Sequence, residues 1–273
     1  MNWLRVVLSR GLSELQIGNI GDMGNTQVLV LAGGKAKRMG INMPKCMLEV
    51  AGKKLIDRCI ECLTNDGFKD FVFLLGHGHE VVMDHVGDGR RYGIEPRYSI
   101  DPFNNIGWGK GKAIKYALEC GKVDRNRRSI ILFPDDLILD DHVYFKFLKS
   151  HLKAVQHNAA LASMVLVRRT QYPYGVAAVK ANGMIRKFTE KPFINKATSV
   201  GIYTFEPAVY DIIERMIDLN EPNAVELEST VIPFLAKQSK LFSFFISEEK
   251  WLPINTMKEY EHAVKVMSIQ HFT

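Results

Sequence analysis

Cysteine is scarce in this chain. Four residues in 273, Cys46, Cys59, Cys62 and Cys120, make no secreted disulfide framework. Cys59 and Cys62 form a lone C-x-x-C inside a helical pattern with no second pair, which argues against zinc or redox use and for a reducing, cytoplasmic setting. No apolar run is long enough to cross a bilayer, so no membrane partner is expected. The segment from Met1 to Asp22 has a short apolar patch and no small-residue cleavage site, unlike a secretory leader. Repeats, low-complexity tracts and Pro/Ser linkers are absent, as is any Ser/His/Asp or Cys/His arrangement. His77 and His79 read as surface side chains in a turn. The formal net charge of +6 is spread along the chain, apart from Arg125, Arg127 and Arg128, so acidic small substrates fit it and a nucleic acid partner is not expected.

What is present is ordinary globular material, with 47% hydrophobic and 24% charged residues, enough for one large α/β domain. The reading is an N-terminal extension over 1–24, with Met23 as an alternative start, followed by a single domain over 25–273. Apolar runs ending in glycine or proline predict buried strands near 26–31, 71–75, 94–100 and 130–133. Helical spacing fills the intervals at 54–65, 80–86 and 109–120. A further helix is expected at 142–156, capped by Asp140 or Asp141. Strand and helix alternate, so the expectation is a Rossmann-like, mainly parallel central sheet with helices on both faces. The second half is less regular. Strands are expected at 160–168, 175–180, 200–205, 241–246 and 250–254, with a turn at Ala181-Asn182-Gly183. Helices are expected at 208–219, 227–238 and 257–267.

The densest chemistry lies in Gln27-Val28-Leu29-Val30-Leu31-Ala32-Gly33-Gly34-Lys35-Ala36-Lys37-Arg38-Met39, followed by Pro44-Lys45. An apolar strand ends in two glycines, which allow close backbone approach to a ligand. Lys35, Lys37, Arg38 and Lys45 then supply charge that an anion would balance. A polyphosphate is the simplest such ligand. A dinucleotide site would want G-x-G-x-x-G, which is missing. A Gly-rich turn with a solvated basic loop is the remaining alternative.

This loop, Ala-Gly-Gly-x-Ala-x-Arg-Met and then Pro-Lys, resembles the signature of the sugar-1-phosphate nucleotidyltransferases. Ala36 and Lys37 stand where that family usually has Gly and Thr. The resemblance implies that Leu31, Ala32, Gly33, Gly34, Arg38 and Lys45 bind a nucleoside triphosphate. It also places a metal-binding Asp after the fourth strand, here Asp135 of Phe133-Pro134-Asp135-Asp136. Mg2+ takes few protein oxygens and completes its shell with phosphate and water. The family's second ligand is an Asp in W-x-D-x-G-T. Here Pro253 replaces it, and Asn255 of Asn-Thr is the substitute that the resemblance suggests. Asn104, with Gly109 of the Gly-Lys-Gly-Lys run, resembles the base-reading stretch. Gly175 of Tyr-Gly-Val, Glu190 and Lys191 of Glu-Lys-Pro, and Ser199 and Gly201 resemble the sugar-phosphate contacts, in a smaller antiparallel part. Some members continue into a hexapeptide β-helix, which is absent here.

The reaction implied is attack by a sugar-1-phosphate oxygen on the α-phosphorus of an NTP, with release of pyrophosphate. The catalytic set is Arg38, Lys45, Asp135 and Lys191, with Mg2+ as cofactor. Pro-Asp-Asp is similar to the corresponding corner of glucose-1-phosphate uridylyltransferases, which points to UTP or dTTP with glucose-1-phosphate. Two other readings stand beside this one. The acceptor could be another phospho-alcohol, inositol phosphate or phosphocholine with CTP. Alternatively, the loss of Asp at 253 would fit a catalytically silent nucleotide-sugar sensor. A homo-oligomer is compatible with all three.

Overall fold

The computed structural model of the chain describes residues 22–34, 40, 43–102 and 108–270. The first strand, β1 (Thr26–Leu31), is buried along its whole length. A hairpin of β2 (Glu49–Val50) and β3 (Lys53–Lys54) leads into α1 (Leu55–Asn65). There follow β4 (Asp70–Leu75), α2 (His79–Val86), β5 (Glu95–Ile100), α3 (Gly109–Glu119) and β6 (Arg128–Leu132). Next come β7 (Asp136–Ile138), α4 (Val143–Asn158) and β8 (Ala162–Val167). Then β9 (Thr170–Gln171), β10 (Val176–Val179), β11 (Ile185–Thr189) and β12 (Phe193–Ile194) precede the long β13 (Thr198–Phe205). The chain closes with α5 (Ala208–Met216), α6 (Val231–Lys237), β14 (Leu241–Ile246), β15 (Trp251–Pro253) and α7 (Met257–Gln270).

Seven strands form one sheet in the order β14-β8-β13-β6-β1-β4-β5. Only β13 runs antiparallel to its neighbours; the other pairings are parallel. Alternation along β1 explains the layering. Val28 and Val30 face a core built with Ile56, Ile60 and Phe147 of α1 and α4. Leu29 and Leu31 face the opposite core, with Ile114, Tyr210 and Leu235 of α3, α5 and α6. A continuous apolar strand is what a sheet covered on both faces requires. The sheet grows from β1 outward through β4 and β5, and then resumes on β1's other side with β6. Strand order therefore reverses between β1 and β6, and a crevice opens beyond their carboxyl ends. A third cluster joins α7 to the hairpin and to a β15–β7 ladder through Leu48, Val50, Leu137, Leu252, Ile254 and Ala263.

Three details differ from the sequence expectation. Neither Asp140 nor Asp141 caps α4. His142 sits at that position with a left-handed φ of 56° and makes no side-chain cap bond. Asp66, from the end of α1, serves instead: its carboxylate accepts the Phe145 N–H at 3.0 Å and lies 2.8 Å from His142 Nδ1. The helix expected over 227–238 is broken at Thr230, which has φ −125°. Pro233 has no N–H to give, so a helix is best begun just before it. The helix expected over 208–219 ends at Met216, because Ile217 turns extended and is buried. Of the expected extension, residues up to 21 lie outside the described residues.

The Asp66 side chain is almost fully enclosed, and its two oxygens serve the α4 terminus. We expect Asp66→Ala to lower the unfolding free energy by about 1–2 kcal/mol, the range for loss of a helix N-cap. Urea unfolding measures it; an unchanged midpoint would contradict the capping role.

Candidate active site

The crevice is built from strand ends. After β1 the chain passes Leu31 and Ala32, both buried, and reaches Gly33 and Gly34. A Cβ at Gly33 would lie 3.1 Å from the Gly76 backbone nitrogen, so the loops after β1 and β4 approach closely only because both positions are glycine. Gly34 then accepts the Lys45 N–H at 3.1 Å, which sets Lys45 beside the end of β1. Buried Cys46 and Met47 anchor the short 3-10 turn that begins with Lys45.

Lys45 is the meeting point of the site. Its ammonium forms an ion pair with Asp135 Oδ2 and donates to Asn255 Oδ1 at 3.0 Å. Asp135 follows β6, and the β7–β15 ladder brings the C-terminal segment alongside, with Pro253 opposite Asp136. The Ile254 N–H donates to the Asp135 carbonyl at 3.2 Å, and the Asn255 N–H to Glu259 Oε2 at 2.8 Å. Two side-chain oxygens, from Asp135 and Asn255, thus converge on one cation. Next to them, Asp136 Oδ1 accepts the Trp251 indole N–H at 2.8 Å. Burial, reinforced by the charge of Asp135, pushes the Asp136 carboxyl up to about 7.

The cleft has a volume of about 650 Å³, with Gly34, Lys45, Asp135, Asn255, Ser199 and Gly201 among its lining residues. Gly201 is held at φ 79°, and a Cβ there would stand 2.9 Å from the Phe133 ring. Its N–H donates to Ser199 Oγ at 3.2 Å. The far wall carries a second charged group. Lys110 Nζ donates to Glu228 Oε1 at 2.6 Å and lies 4.8 Å above the Phe133 ring centre. Tyr203 OH donates to the same oxygen at 3.0 Å. Glu226 and Glu228 escaped the sequence reading. They flank buried Leu227 at a spacing of two, and both carboxylates approach Lys110 Nζ, Glu226 Oε2 at 3.7 Å and Glu228 Oε1 at 2.6 Å. That spacing and the surplus cation of Lys110 were the available signals.

Other anticipated residues stand elsewhere. Gly109 and Gly111 seat a loop: a Cβ on either would lie under 3 Å from the Val225 backbone, and neither lines the cleft. Gly175, Glu190 and Lys191 belong to a stretch from 168 to 199 in which no residue is buried. They are not among the residues lining the cleft. Lys191 has a left-handed φ of 45°, a strained conformation for a residue with a side chain. Arg38, with Lys35 and Lys37, and Asn104 lie outside the described residues. His79 turns to the Gly76 carbonyl at 3.2 Å and to Glu80, so Gly-His-Gly-His builds no metal pair. Among the described residues no cluster of three or more His, Cys, Asp or Glu could cage a metal.

A parallel sheet whose strand ends join glycine, lysine and carboxylate across a topological switch is an architecture for anionic ligands. Comparison with known proteins is consistent with that. The chain matches the nucleotidyl transferase family over residues 27–268. It belongs to that family. It is 27% identical over 258 residues to UTP–glucose-1-phosphate uridylyltransferase of Synechocystis, covering 88% of this chain and 62% of that protein. It is 25% identical over 240 residues to mannose-1-phosphate guanyltransferase of Saccharomyces cerevisiae, covering 85% and 62%. With glucose-1-phosphate adenylyltransferase of Thermotoga neapolitana the figures are 25% over 262 residues, 88% and 60%. The chain thus spans about three fifths of the length of these relatives. Its fold is shared with a putative glucose-1-phosphate thymidylyltransferase from Bacillus anthracis, at TM-score 0.66, 18% identity, and 88% and 94% coverage. It is also shared with HddC from Yersinia pseudotuberculosis, at TM-score 0.63, 20% identity, and 88% and 99% coverage. No helix among the described residues is long and apolar enough to cross a membrane.

The raised Asp136 carboxyl has a measurable consequence. Its folded value, about 7, lies above the ordinary 3.8, so the folded state holds this proton more tightly than the unfolded chain. The stabilisation is complete below the unfolded value and is lost as pH rises through the folded one. In a chelator-containing buffer, the wild type should lose stability between pH 5 and pH 8, and Asp136→Asn should lose less. Urea titrations at the two pH values decide it; equal losses in both proteins would overturn it.

Proposed function

We propose that this chain catalyses Mg2+-dependent transfer of a nucleotidyl group from an NTP to a sugar-1-phosphate, forming an NDP-sugar and pyrophosphate. The observation that carries the reading is the convergence of Asp135 and Asn255 on a single cation, Lys45 Nζ, at the mouth of the Gly33-Gly34 strand end. These two oxygens are already satisfied by positive charge, and so few protein ligands suit Mg2+, which shares its shell with phosphate and water. Asp135 and Asn255 would hold the ion. Its contribution when bound is to neutralise charge that grows on the phosphate oxygens in the transition state.

Charge in the cleft supports the same view. Its described lining has two cations, Lys45 and Lys110, against Asp135, Asp136 and Glu228. Two phosphorylated substrates need more positive charge than that. In this reading the remainder comes from the metal and from Lys35, Lys37 and Arg38 of the signature loop. The nucleophile is a phosphate oxygen, already anionic at neutral pH. It forms the new bond to the α-phosphorus while the bond to the β-phosphate bridging oxygen breaks, and pyrophosphate leaves with that electron pair. No proton has to move. The protein's task is to hold the two anions in line, with Lys45 on the triphosphate and Lys191 on the acceptor phosphate.

The position of Asn255 bears on the silent-sensor alternative. That reading rested on Pro253 replacing an acid, yet an oxygen donor two residues later stands beside Asp135. For the substrates, the Pro-Asp-Asp corner favours UTP or dTTP with glucose-1-phosphate. Relatives of similar identity are named for uridylyl, guanyl and adenylyl transfer, so the base rests on that corner alone.

A matrix of NTPs against sugar phosphates, scored by pyrophosphate release, tests the reading. Turnover with UTP or dTTP and glucose-1-phosphate is expected, and none with inositol phosphate or phosphocholine. Asp135→Ala should lose nearly all turnover while keeping its thermal midpoint, and near-normal release by it would reject the assignment. Lys45→Ala should lower kcat/KM by roughly two to three orders of magnitude, the cost of removing one preorganised charge stabiliser.

A further inference from the structure

The wall of the cleft opposite Lys45 is an assembled charge cluster. It joins the first turn of α3 to the 3-10 turn Leu227–Ser229, with Lys110 and Glu228 118 positions apart. Backbone bonds dock the two segments: the Gly111 N–H donates to the Val225 carbonyl at 2.8 Å, and the Val225 N–H to the Trp108 carbonyl at 3.3 Å. Two further lysines of α3 fasten the preceding loop, Lys112 on the Glu221 carbonyl and Lys115 on the Ile217 carbonyl at 2.7 Å.

Three side chains carry the charge. Lys110 Nζ has Glu228 Oε1 at 2.6 Å and Glu226 Oε2 at 3.7 Å. Glu226 Oε2 also accepts the Lys110 backbone N–H at 3.3 Å. One ammonium against two carboxylates leaves the cluster with a surplus negative charge. The Lys110 and Glu228 side chains are 34% and 35% exposed, so salt screens them less than groups on the open surface. The Tyr203 hydroxyl donates to Glu228 Oε1 at 3.0 Å and lies 3.4 Å from Ser199 Oγ, which ties the cluster to β13. β13 breaks register with β8 between Ser199 and Tyr203, and residues 199–201 line the cleft beside the cluster.

We propose that this wall selects the acceptor, admitting a sugar-1-phosphate whose ring carries no negative charge beyond the reacting phosphate. The inference deepens the nucleotidyl-transfer reading and rests on it for the acceptor's place in the cleft. In that reading phosphate and metal belong to the end marked by Lys45, Asp135 and Asn255. The body of the ring is left to meet Ser199, Gly201 and the wall. An ammonium carries three N–H groups, so Lys110 can serve Glu228 and still donate to a ring hydroxyl. A carboxylate or a second phosphate in the same place would meet an ammonium already outnumbered by Glu226 and Glu228, and would be repelled. An amino group would be attracted. A repulsive element set against the wrong ligand is one of the two ways to build specificity.

Calorimetry of the full chain in Mg2+ buffer reads this selection without turnover, using glucose 1-phosphate, glucosamine 1-phosphate and glucuronate 1-phosphate. The wild type should bind glucosamine 1-phosphate at least as tightly as glucose 1-phosphate. It should bind glucuronate 1-phosphate roughly tenfold or more weakly, the scale of like-charge repulsion in a partly enclosed site. Two substitutions should move that ratio in opposite directions. Glu228→Gln keeps an oxygen for Lys110 and Tyr203 but removes a negative charge, and should narrow the gap. Lys110→Met removes the positive charge and should widen it. A wall that only held the fold together would shift all three ligands alike and leave the ratio at its wild-type value. Equal wild-type affinity for the glucose and glucuronate phosphates, or a ratio that does not move in opposite directions in the two variants, would overturn the proposal. Pyrophosphate release on the same acceptors separates this from the reading beneath it. Discrimination in binding with no turnover on any acceptor would reject nucleotidyl transfer alone, and binding of none of the three would overturn both.

Discussion

One ammonium group ties three distant parts of this chain together. Lys45 reaches Asp135, 90 positions later, and Asn255, 210 positions later. Each group sits on a different element: the 3-10 turn that begins with Lys45, the corner after β6, and the segment after β15. No single element could present this arrangement. It exists because the sheet reverses direction next to β1 and because the β7–β15 ladder draws the C-terminal segment up to that reversal. The ion pair is partly buried, so breaking it would leave a carboxylate enclosed beside a second carboxylate whose proton affinity is already raised.

The same crowding accounts for the electrostatic character of the cleft. Three carboxyl groups face two lysines, which is a poor surface for phosphate by itself. In the proposed reaction a divalent ion and the signature-loop cations would supply the missing positive charge. In the proposed reaction, a metal held there would couple the two binding events, since each would remove the repulsion that opposes the other. On the opposite wall Lys110 lies over Phe133 and is paired with Glu228 and Glu226.

The arm over 168–199 is different in kind. Everything around the cleft is held by buried apolar residues, whereas the arm has none. Its internal cohesion is its ladder hydrogen bonds and a few exposed contacts, such as Tyr172 against Tyr174 and Arg169 over the Phe193 ring. An element of this sort is easily repositioned, and it carries Gly175, Glu190 and Lys191 at the ends of its strands. Their distance from the cleft lining and the strained backbone of Lys191 belong to the same fact.

Local pattern was enough for the sheet and its helices. A buried parallel strand has to be apolar throughout, and helices that cover it have to show apolar spacing, so β1, β4 and β6 and their flanking helices were legible. The Gly33-Gly34 loop and the Asp135 corner were legible for the same reason, being placed at strand ends. What lies between elements was not legible. The capping of α4 by Asp66, the short β7, the Glu226 and Glu228 carboxylates and the pairing of Asn255 with Lys45 all depend on segments remote in sequence. Chain-local propensity carries no information about such meetings. They arise only when burial of the two main cores and the third cluster under α7 fixes where each strand end must lie, and the polar groups then pair because leaving them unpaired in that enclosure would cost more than ordering them.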